Sequence, residues 1–199
     1  MNEFKLALRS IKDDFGTFTK NTIYLCVFLS ISLTFFSSCQ DQKTSSSKTR
    51  ILLDTDANNE LDDQHAMAYL LFNGNDFELE GITINKTKNG GDINEHYKEA
   101  ERIVTLCGLA NQVDIIKGAT GTFEEIKPYV KEPTFDGDAA VNFIISKSKI
   151  KSDEKLVLMP VGKLTNIALA LHKEPSIADQ VRIVWLGSNY PEPGEYNQA

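Results

Sequence analysis

Cysteine and histidine are scarce in this chain, and their positions exclude several kinds of site. The sequence has 3 Cys and 3 His among 199 residues. Cys26 lies in an amino-terminal apolar stretch, Cys39 follows that stretch closely, and Cys107 lies in an apolar segment with helical periodicity. No cysteine and histidine spacing is typical of a zinc site. Cys107 is predicted to be a free buried thiol, and no disulfide is expected within the mature chain.

Clustered positive charge is also missing. The chain has 21 Lys and Arg against 28 Asp and Glu, which gives a net charge of -7. No run of basic residues gathers into a stripe, so a nucleic-acid-binding surface is disfavoured. The acidity is consistent with simple solubility. A hydrophobic content of 41% over this length is enough for one domain with a sizeable core.

The amino-terminal segment lacks an apolar run long enough for a comfortable transmembrane helix. Its apolar stretch, residues 23–36, follows four basic residues: Lys5, Arg9, Lys12 and Lys20. Those features are typical of a signal peptide. Small residues before Cys39 resemble a bacterial lipoprotein processing site, which predicts residues 1–39 as a signal and Cys39 as the lipidated residue. Residues 40–48 are predicted to be a flexible tether. The product would be exported and lipid-anchored in the cell envelope; the alternative is a retained anchor helix.

From residue 49 onward, short apolar runs alternate with helical patterns. Strands are predicted near 50–54, 79–84, 113–116, 155–159 and 181–186, and helices near 61–73, 92–108, 137–149 and 163–172. Residues 120–134 have no clear periodicity. Such alternation predicts an α/β fold with a mostly parallel open sheet and helices on both faces. Asp136 and Asp138, before the third helix, are interpreted as caps of that helix.

Four aspartates converge where the first strand leads into the first helix. Asp54 and Asp56 end the strand, and Asp62 and Asp63 begin the helix. Capping and the helix dipole would explain Asp62 and Asp63 alone, but not the two at the strand end. Carboxylates this close repel one another, and a hard divalent cation is the usual remedy. Open α/β sheets bind ligands at that edge, so we predict a metal and substrate site there.

Two motifs resemble the inosine–uridine-preferring nucleoside hydrolases. In that family the first strand ends in Asp-x-Asp-Pro-Gly-x-Asp-Asp; residues 54–63 read DTDANNELDD, with the same carboxylates, a loop two residues longer and no Pro-Gly. Residues 160–168 read PVGKLTNIA and match the family's Pro-x-Gly-x-Leu-Thr-Asn-Ile-Ala run. The chain therefore resembles a divergent branch of the family, with a Rossmann-like fold.

The resemblance implies roles for individual residues. Asp56, Asp63 and the main-chain carbonyl of Val161 would bind Ca²⁺, and Asp56 would also take a proton from the attacking water. Asp54 would orient these ligands from behind. The implied substrate-binding residues are Asp62, Asn89 (with Asn85 as the alternative), Asn189, Glu195 and Asn197. Thr165 and Asn166 are interpreted as forming a helix start.

The implied activity is calcium-dependent hydrolysis of the N-glycosidic bond of ribonucleosides to ribose and free base. Family members are about twice as long as residues 49–199 and commonly form dimers or tetramers. Their remaining part supplies another aspartate to the metal and often a histidine as acid. His65, His96 and His172 do not match that histidine and are interpreted as surface or helix residues. We therefore expect a carboxyl-terminally truncated member.

Two other functions stay open. One is a lipid-anchored protein that binds a nucleoside or ribosyl compound without catalysis, or an inactive fragment. The other is a haloacid-dehalogenase-type phosphatase, whose first strand also ends in Asp-x-Asp, with Asp54 as nucleophile. The phosphatase would explain neither the aspartates at 62 and 63 nor residues 160–168. The predicted partners are small molecules and, through the lipid, a membrane; no nucleic acid is expected.

Overall fold

The computed structural model describes residues 48–187. The strands are Thr49–Thr55 (β1), Phe77–Ile84 (β2), Ile115–Lys117 (β3), Leu156–Pro160 (β4) and Val181–Ile183 (β5). The α-helices are Leu61–Phe72 (α1), Ile93–Leu106 (α2), Phe123–Ile126 (α3), Asp138–Ser148 (α4) and Thr165–Lys173 (α5). Short 3₁₀ helices cover Lys127–Tyr129 and Pro175–Gln180. None of the helices within 48–187 is long and apolar enough to cross a membrane. The predicted signal, Cys39 and most of the tether lie outside the described residues.

All five strands run parallel in one sheet with the order β3-β2-β1-β4-β5. The chain winds outward from β1 to β3 and then returns to place β4 on the other side of β1. Asp54, at the end of β1, is paired with Thr83 of β2 and with Pro160 of β4. The winding direction therefore reverses at the carboxyl ends of β1 and β4, which is where open α/β sheets form a ligand crevice.

Alternate residues of β1 supply two separate cores. Leu52 packs with Ile144 of α4 and Ile167 of α5 on one face. Leu53 packs with Met67 of α1 and Val104 of α2 on the other face. Helices thus cover both faces of a parallel sheet, as predicted, because successive side chains of a strand point to opposite sides.

The structure differs from the sequence expectations where the local signal is weak. β3 covers three residues from Ile115, not 113–116, and residues 120–134 contain α3 and a 3₁₀ helix that were not predicted. β5 ends at Ile183, not at 186, although the main-chain N–H groups of Val184 and Leu186 still donate to β4. Cys107 is half-buried at the end of α2 and has a free thiol.

The interpretation of Asp136 and Asp138 as helix caps was wrong. Helix α4 begins after Gly137, which has a φ of 88°, and no side chain caps it. The Asp136 carboxylate instead accepts hydrogen bonds from the main-chain N–H groups of Thr120 and Gly121, at 3.0 and 2.7 Å. Asp136 therefore ties the loop after β3 to the start of α4.

Candidate active site

A cleft of about 660 Å³ lies at the carboxyl edge of the sheet. It is bordered by the β1–α1 loop, the loop after β2, the loop after β3 and the loop after β4. Five residues predicted from the sequence line it: Asp56, Asp62, Asp63, Asn89 and Val161. Asp62 and Asn89 are exposed, whereas Asp56 and Asp63 are buried. The predicted Asn189, Glu195 and Asn197 lie outside the described residues.

Asp54 lies beneath the cleft and is fully buried. Its carboxylate accepts hydrogen bonds from Thr83 Oγ1 at 2.6 Å, Asn85 Nδ2 at 2.6 Å and Asn166 Nδ2 at 2.7 Å. Burial raises the pKa of Asp54 to about 6, although these donors act in the opposite direction. A charge this deep is tolerated because its oxygens are surrounded by donors.

Asp56 is held from two sides. The Thr87 hydroxyl donates to its Oδ2. Its main-chain carbonyl accepts from Asn59 N at 2.8 Å and lies 2.8 Å from His96 Nδ1. Its Oδ1 lies against Gly162, where an added methyl group would be 2.5 Å away. The absence of a side chain at position 162 therefore leaves room for this oxygen at the rim of the cleft.

Asp63 is 4% exposed and accepts a hydrogen bond from Thr55 Oγ1 at 2.6 Å. Its pKa is raised to about 7, mainly by burial and also by the neighbouring charges of Asp56, Asp62 and Glu60, while the hydrogen bond from Thr55 acts in the opposite direction. The charge of Asp56 thus acts on Asp63, and one hydroxyl donates to each of these two carboxylates. Such an arrangement favours a cation, because two buried carboxylates with one neutral donor each repel one another.

The oxygen atoms around this point fit a hard cation. No three His, Cys, Asp or Glu side chains of residues 48–187 converge on one position, so a metal would need main-chain or amide oxygens as well. The side-chain oxygens of Asn59 and Asn85 are buried and have no hydrogen-bond partner within that range. Carboxylate, carbonyl and amide oxygens together are the ligand set that Ca²⁺ takes.

Three lysines also line the cleft: Lys86, Lys88 and Lys163. Lys163 is half-buried, and its Nζ donates to the main-chain oxygen of Gly121 at 2.8 Å. Burial lowers the pKa of Lys163, the charge of Asp136 raises it, and the charge of Lys86 lowers it. No sequence pattern singles out these lysines, because they are scattered over two loops.

The comparison with known families agrees with this geometry. The family model described as inosine-uridine preferring nucleoside hydrolase matches residues 51–199. The chain belongs to this family. The resemblance inferred from the two motifs is therefore confirmed.

The relatives of this nucleoside hydrolase family member are distant and longer. Inosine-uridine preferring nucleoside hydrolases from Leishmania major and Crithidia fasciculata are 28% and 29% identical to it. The matches cover 71% and 72% of this chain but 49% of each relative. The chain thus spans about half the length of these relatives.

Solved structures show the same fold. A purine-preferring ribonucleoside hydrolase from Gardnerella vaginalis is 26% identical, with a TM-score of 0.54 over 71% of this chain and 49% of that chain. A plant nucleoside hydrolase has a TM-score of 0.56 over 71% of this chain and 48% of that chain. The plant enzyme is 19% identical, so this likeness concerns the fold alone.

Two supporting residues of this family member have contacts that the sequence did not predict. Asn166 does more than begin a helix, because it also accepts from Ala119 N at 2.8 Å and donates to Ile84 O at 3.2 Å. His96 lies on a helix, as interpreted, but it is fully buried and contacts the loop that carries Asp56. A polar residue placed on the apolar face of the strongly amphipathic α2 was the available signal for His96.

Proposed function

We propose that this site hydrolyses the N-glycosidic bond of ribonucleosides to ribose and free base in a calcium-dependent reaction. One observation carries the proposal: Asp56 and Asp63 are both buried, the charge of Asp56 acts on Asp63, and both line the cleft at the ligand edge of the sheet together with Val161. Membership of the nucleoside hydrolase family supports the choice of substrate. The β1–α1 loop and the first turn of α1, which supply the aspartates, meet the loop after β4, which supplies Val161, where the winding of the sheet reverses.

Asp56, Asp63 and the main-chain carbonyl of Val161 would hold the cation. A calcium ion bound there would supply positive charge that lowers the pKa of a water molecule and fixes ribose hydroxyls. The Val161 side chain takes no part, so its identity matters little. Val161 is instead positioned through its N–H, which donates to Asp54 O at 2.9 Å. Buried Asp54 thus supports the site and contacts neither cation nor substrate.

The protein side chains would move one proton and hold the sugar. Water attacks the anomeric carbon as the bond to the base nitrogen breaks, and Asp56 accepts the proton of that water. The exposed carboxylate of Asp62 and the amide of Asn89 lie in the cleft to bind ribose hydroxyls. The leaving nitrogen also needs a proton, and no histidine among residues 48–187 lines the cleft to supply it.

Calcium binding and turnover test the proposal separately. We expect Ca²⁺ to bind by calorimetry and to raise the melting temperature, and we expect reducing sugar to appear from inosine or uridine with Ca²⁺ but not with EDTA. Asp56→Asn should lower the rate by about 10²- to 10⁴-fold. Asp153→Asn, in the exposed loop before β4, is the matched control and should leave both readouts unchanged. Equal release of ribose with EDTA, or an unaffected Asp56→Asn variant, would contradict the proposal.

A non-catalytic ribosyl-binding protein is the second candidate. It is favoured because the cleft offers ribose hydroxyls the side chains of Asp62 and Asn89 whether or not turnover follows. Ribose or inosine binding without sugar release would select it. The phosphatase alternative is disfavoured because its nucleophile, Asp54, is fully buried among three donors and does not line the cleft. Phosphate release from an aryl phosphate would be needed to restore it.

We also propose that the chain is exported and anchored through a lipid on Cys39. The support is the order of basic residues, apolar stretch and small residues before that cysteine. The full chain should partition into detergent, and Cys39→Ala should move it to the aqueous phase. Unchanged partitioning would contradict lipidation. A homo-oligomer, proposed from the family resemblance, is tested by light scattering.

A further inference from the structure

A site that takes neutral nucleosides does not need the positively charged side chains that line this cleft. Lys86, Lys88 and Lys163 line it in a chain whose net charge is -7. The ion pairs found among residues 48–187 involve other residues, namely Arg50, Arg102, Lys147 and Lys149 with Glu80, Glu99 and Glu174. Among residues 48–187, no carboxylate makes a direct ion pair with a cleft lysine. Ribose and the common bases carry no charge that would call for three ammonium groups.

The lysines are positioned by contacts that also shape the site. Lys86 and Lys88 flank Thr87, whose hydroxyl donates to Asp56. Lys163 follows Gly162, which lies against Asp56, and its ammonium group is directed toward the loop after β3 by the hydrogen bond to Gly121. The positive charges therefore lie on the two loops that contact Asp56, the proposed proton acceptor. One loop follows β2 and the other follows β4.

The cleft lysines do not pair directly with the acidic residues around them. Four carboxylates line the cleft, those of Asp56, Glu60, Asp62 and Asp63, and Asp54 lies beneath it. The charges of Asp54, Asp56 and Asp136 act on Lys163, but no cleft lysine lies within ion-pair distance of a carboxylate among residues 48–187. A divalent cation at the aspartates would offset two of the negative charges and leave the ammonium donors available to an anion. A phosphate group, with several acceptor oxygens, fits ammonium donors of this kind.

We propose that the cleft accepts a phosphorylated ribosyl compound, such as a nucleoside 5′-monophosphate, whose phosphate is bound by Lys86, Lys88 and Lys163. This substrate class rests on the proposed ribosyl site and adds to it an anionic subsite. Phosphate recognition would give the site a preference for nucleotides over nucleosides.

Binding of matched ligand pairs tests the inference on the intact chain. Inosine, inosine 5′-monophosphate, ribose 5-phosphate and inorganic phosphate are titrated by calorimetry, with Ca²⁺ and again with EDTA, since phosphate could also contact the cation. We expect the monophosphate to bind at least about tenfold more tightly than inosine, with an advantage that shrinks as salt rises. We expect ribose 5-phosphate to bind more tightly than inorganic phosphate.

Variants assign the effect to the lysines. Lys86→Gln and Lys163→Gln should each weaken monophosphate binding about five- to tenfold and leave inosine binding unchanged. Lys88 is exposed, so Lys88→Glu should weaken monophosphate binding at least as much without removing a buried contact. The control is Lys151→Gln, exposed in the loop before β4 at the opposite edge of the sheet.

The outcomes separate this inference from the proposed function. Equal affinity for inosine and its monophosphate, or lysine variants that bind the monophosphate normally, would overturn the phosphate subsite and leave the nucleoside site intact. Inorganic phosphate binding as tightly as ribose 5-phosphate would overturn the ribosyl part of the inference. Failure of all four ligands to bind while Ca²⁺ binds would overturn both. Tighter binding of the monophosphate than of inosine, and of ribose 5-phosphate than of inorganic phosphate, would support the phosphate subsite if the lysine variants lose the preference for the monophosphate.

Discussion

A single methyl group at Gly162 is expected to disable the cation site. In the structure, a β-carbon at this position would lie 2.5 Å from Asp56 Oδ1 and 3.0 Å from Asn85 Oδ1. Gly162 is not among the residues with positive φ, so alanine meets no backbone strain and the effect is steric. To reach an ordinary contact of about 3.4 Å, Asp56 Oδ1 would have to move by about 0.9 Å.

That displacement is large compared with the tolerance of the site. Calcium–oxygen distances span only about 0.3 Å, so a carboxylate moved by three times that amount no longer binds in the same geometry. Asp56 cannot shift freely, because Thr87 and the contacts of its carbonyl hold it. We expect Gly162→Ala to weaken Ca²⁺ binding by at least about tenfold and to cost about 1–3 kcal/mol in the free energy of unfolding.

Calorimetry with Ca²⁺ and urea unfolding in EDTA measure these two effects independently. Calcium at 100 times its dissociation constant stabilises a protein by about 2.7 kcal/mol, so a lost calcium response is easily detected. Gly74→Ala is the matched control, since a β-carbon there would have nothing within 4 Å and its φ is not positive. A Gly162→Ala protein with wild-type stability and calcium affinity would refute the placement of Asp56 against the loop after β4.

Three further substitutions test the support of the site. Asn166→Ala removes one donor to the buried Asp54 carboxylate and should lower the free energy of unfolding by roughly 2–3 kcal/mol in urea titrations. The control Asn142→Ala, at an exposed position, should change little, and equal stability of the two variants would contradict the hydrogen-bond network around Asp54. His96→Leu is close to histidine in volume but removes the contact of Nδ1 with the Asp56 carbonyl, so calorimetry should show weaker Ca²⁺ binding. Unchanged binding would assign His96 to packing alone. Asp92 caps α2, and the main-chain N–H groups it accepts from lower its pKa, so its contribution to stability is complete above its unfolded pKa and is lost as the pH falls through the lower folded value. Asparagine caps a helix about as well as aspartate but does not titrate, so Asp92→Asn should melt close to wild type at pH 7. Its melting temperature should fall less than that of wild type as the pH is lowered, and an identical fall in both proteins would refute this.

The elements with strong local patterns could be predicted from the sequence. The first strand and helix follow from an apolar run of β-strand length and from helical spacing, both of which depend on near neighbours. The weak elements were predicted less well for the same reason. The third strand was placed two residues too early, because β3 has only three residues, and the short helices after it were missed, because they have too few turns to show a period.

The candidate site divides in the same way. Residues that cluster along the chain, such as Asp56 and Asp63, could be proposed from their spacing. Asn166 could not be connected with Asp54, because 112 positions separate them and only the sheet topology brings them together. The cleft lysines belong to the same class, since they come from loops after β2 and β4 that meet only when β1 lies between those strands.

The position of β1 also explains why the aspartates differ in chemistry. Even-numbered side chains of β1 face α4 and α5, and odd-numbered ones face α1 and α2, as Leu52 and Leu53 show. Asp54 therefore meets Asn166 of α5, whereas Thr55 meets Asp63 of α1. At the end of β1, the Asp54 side chain therefore contacts hydrogen-bond donors on one face of the sheet, and the Thr55 side chain contacts the Asp63 carboxylate on the other face. One carboxylate is enclosed by donors and serves the fold, and the others line the cleft, where a bound cation and the cleft lysines can balance their charge.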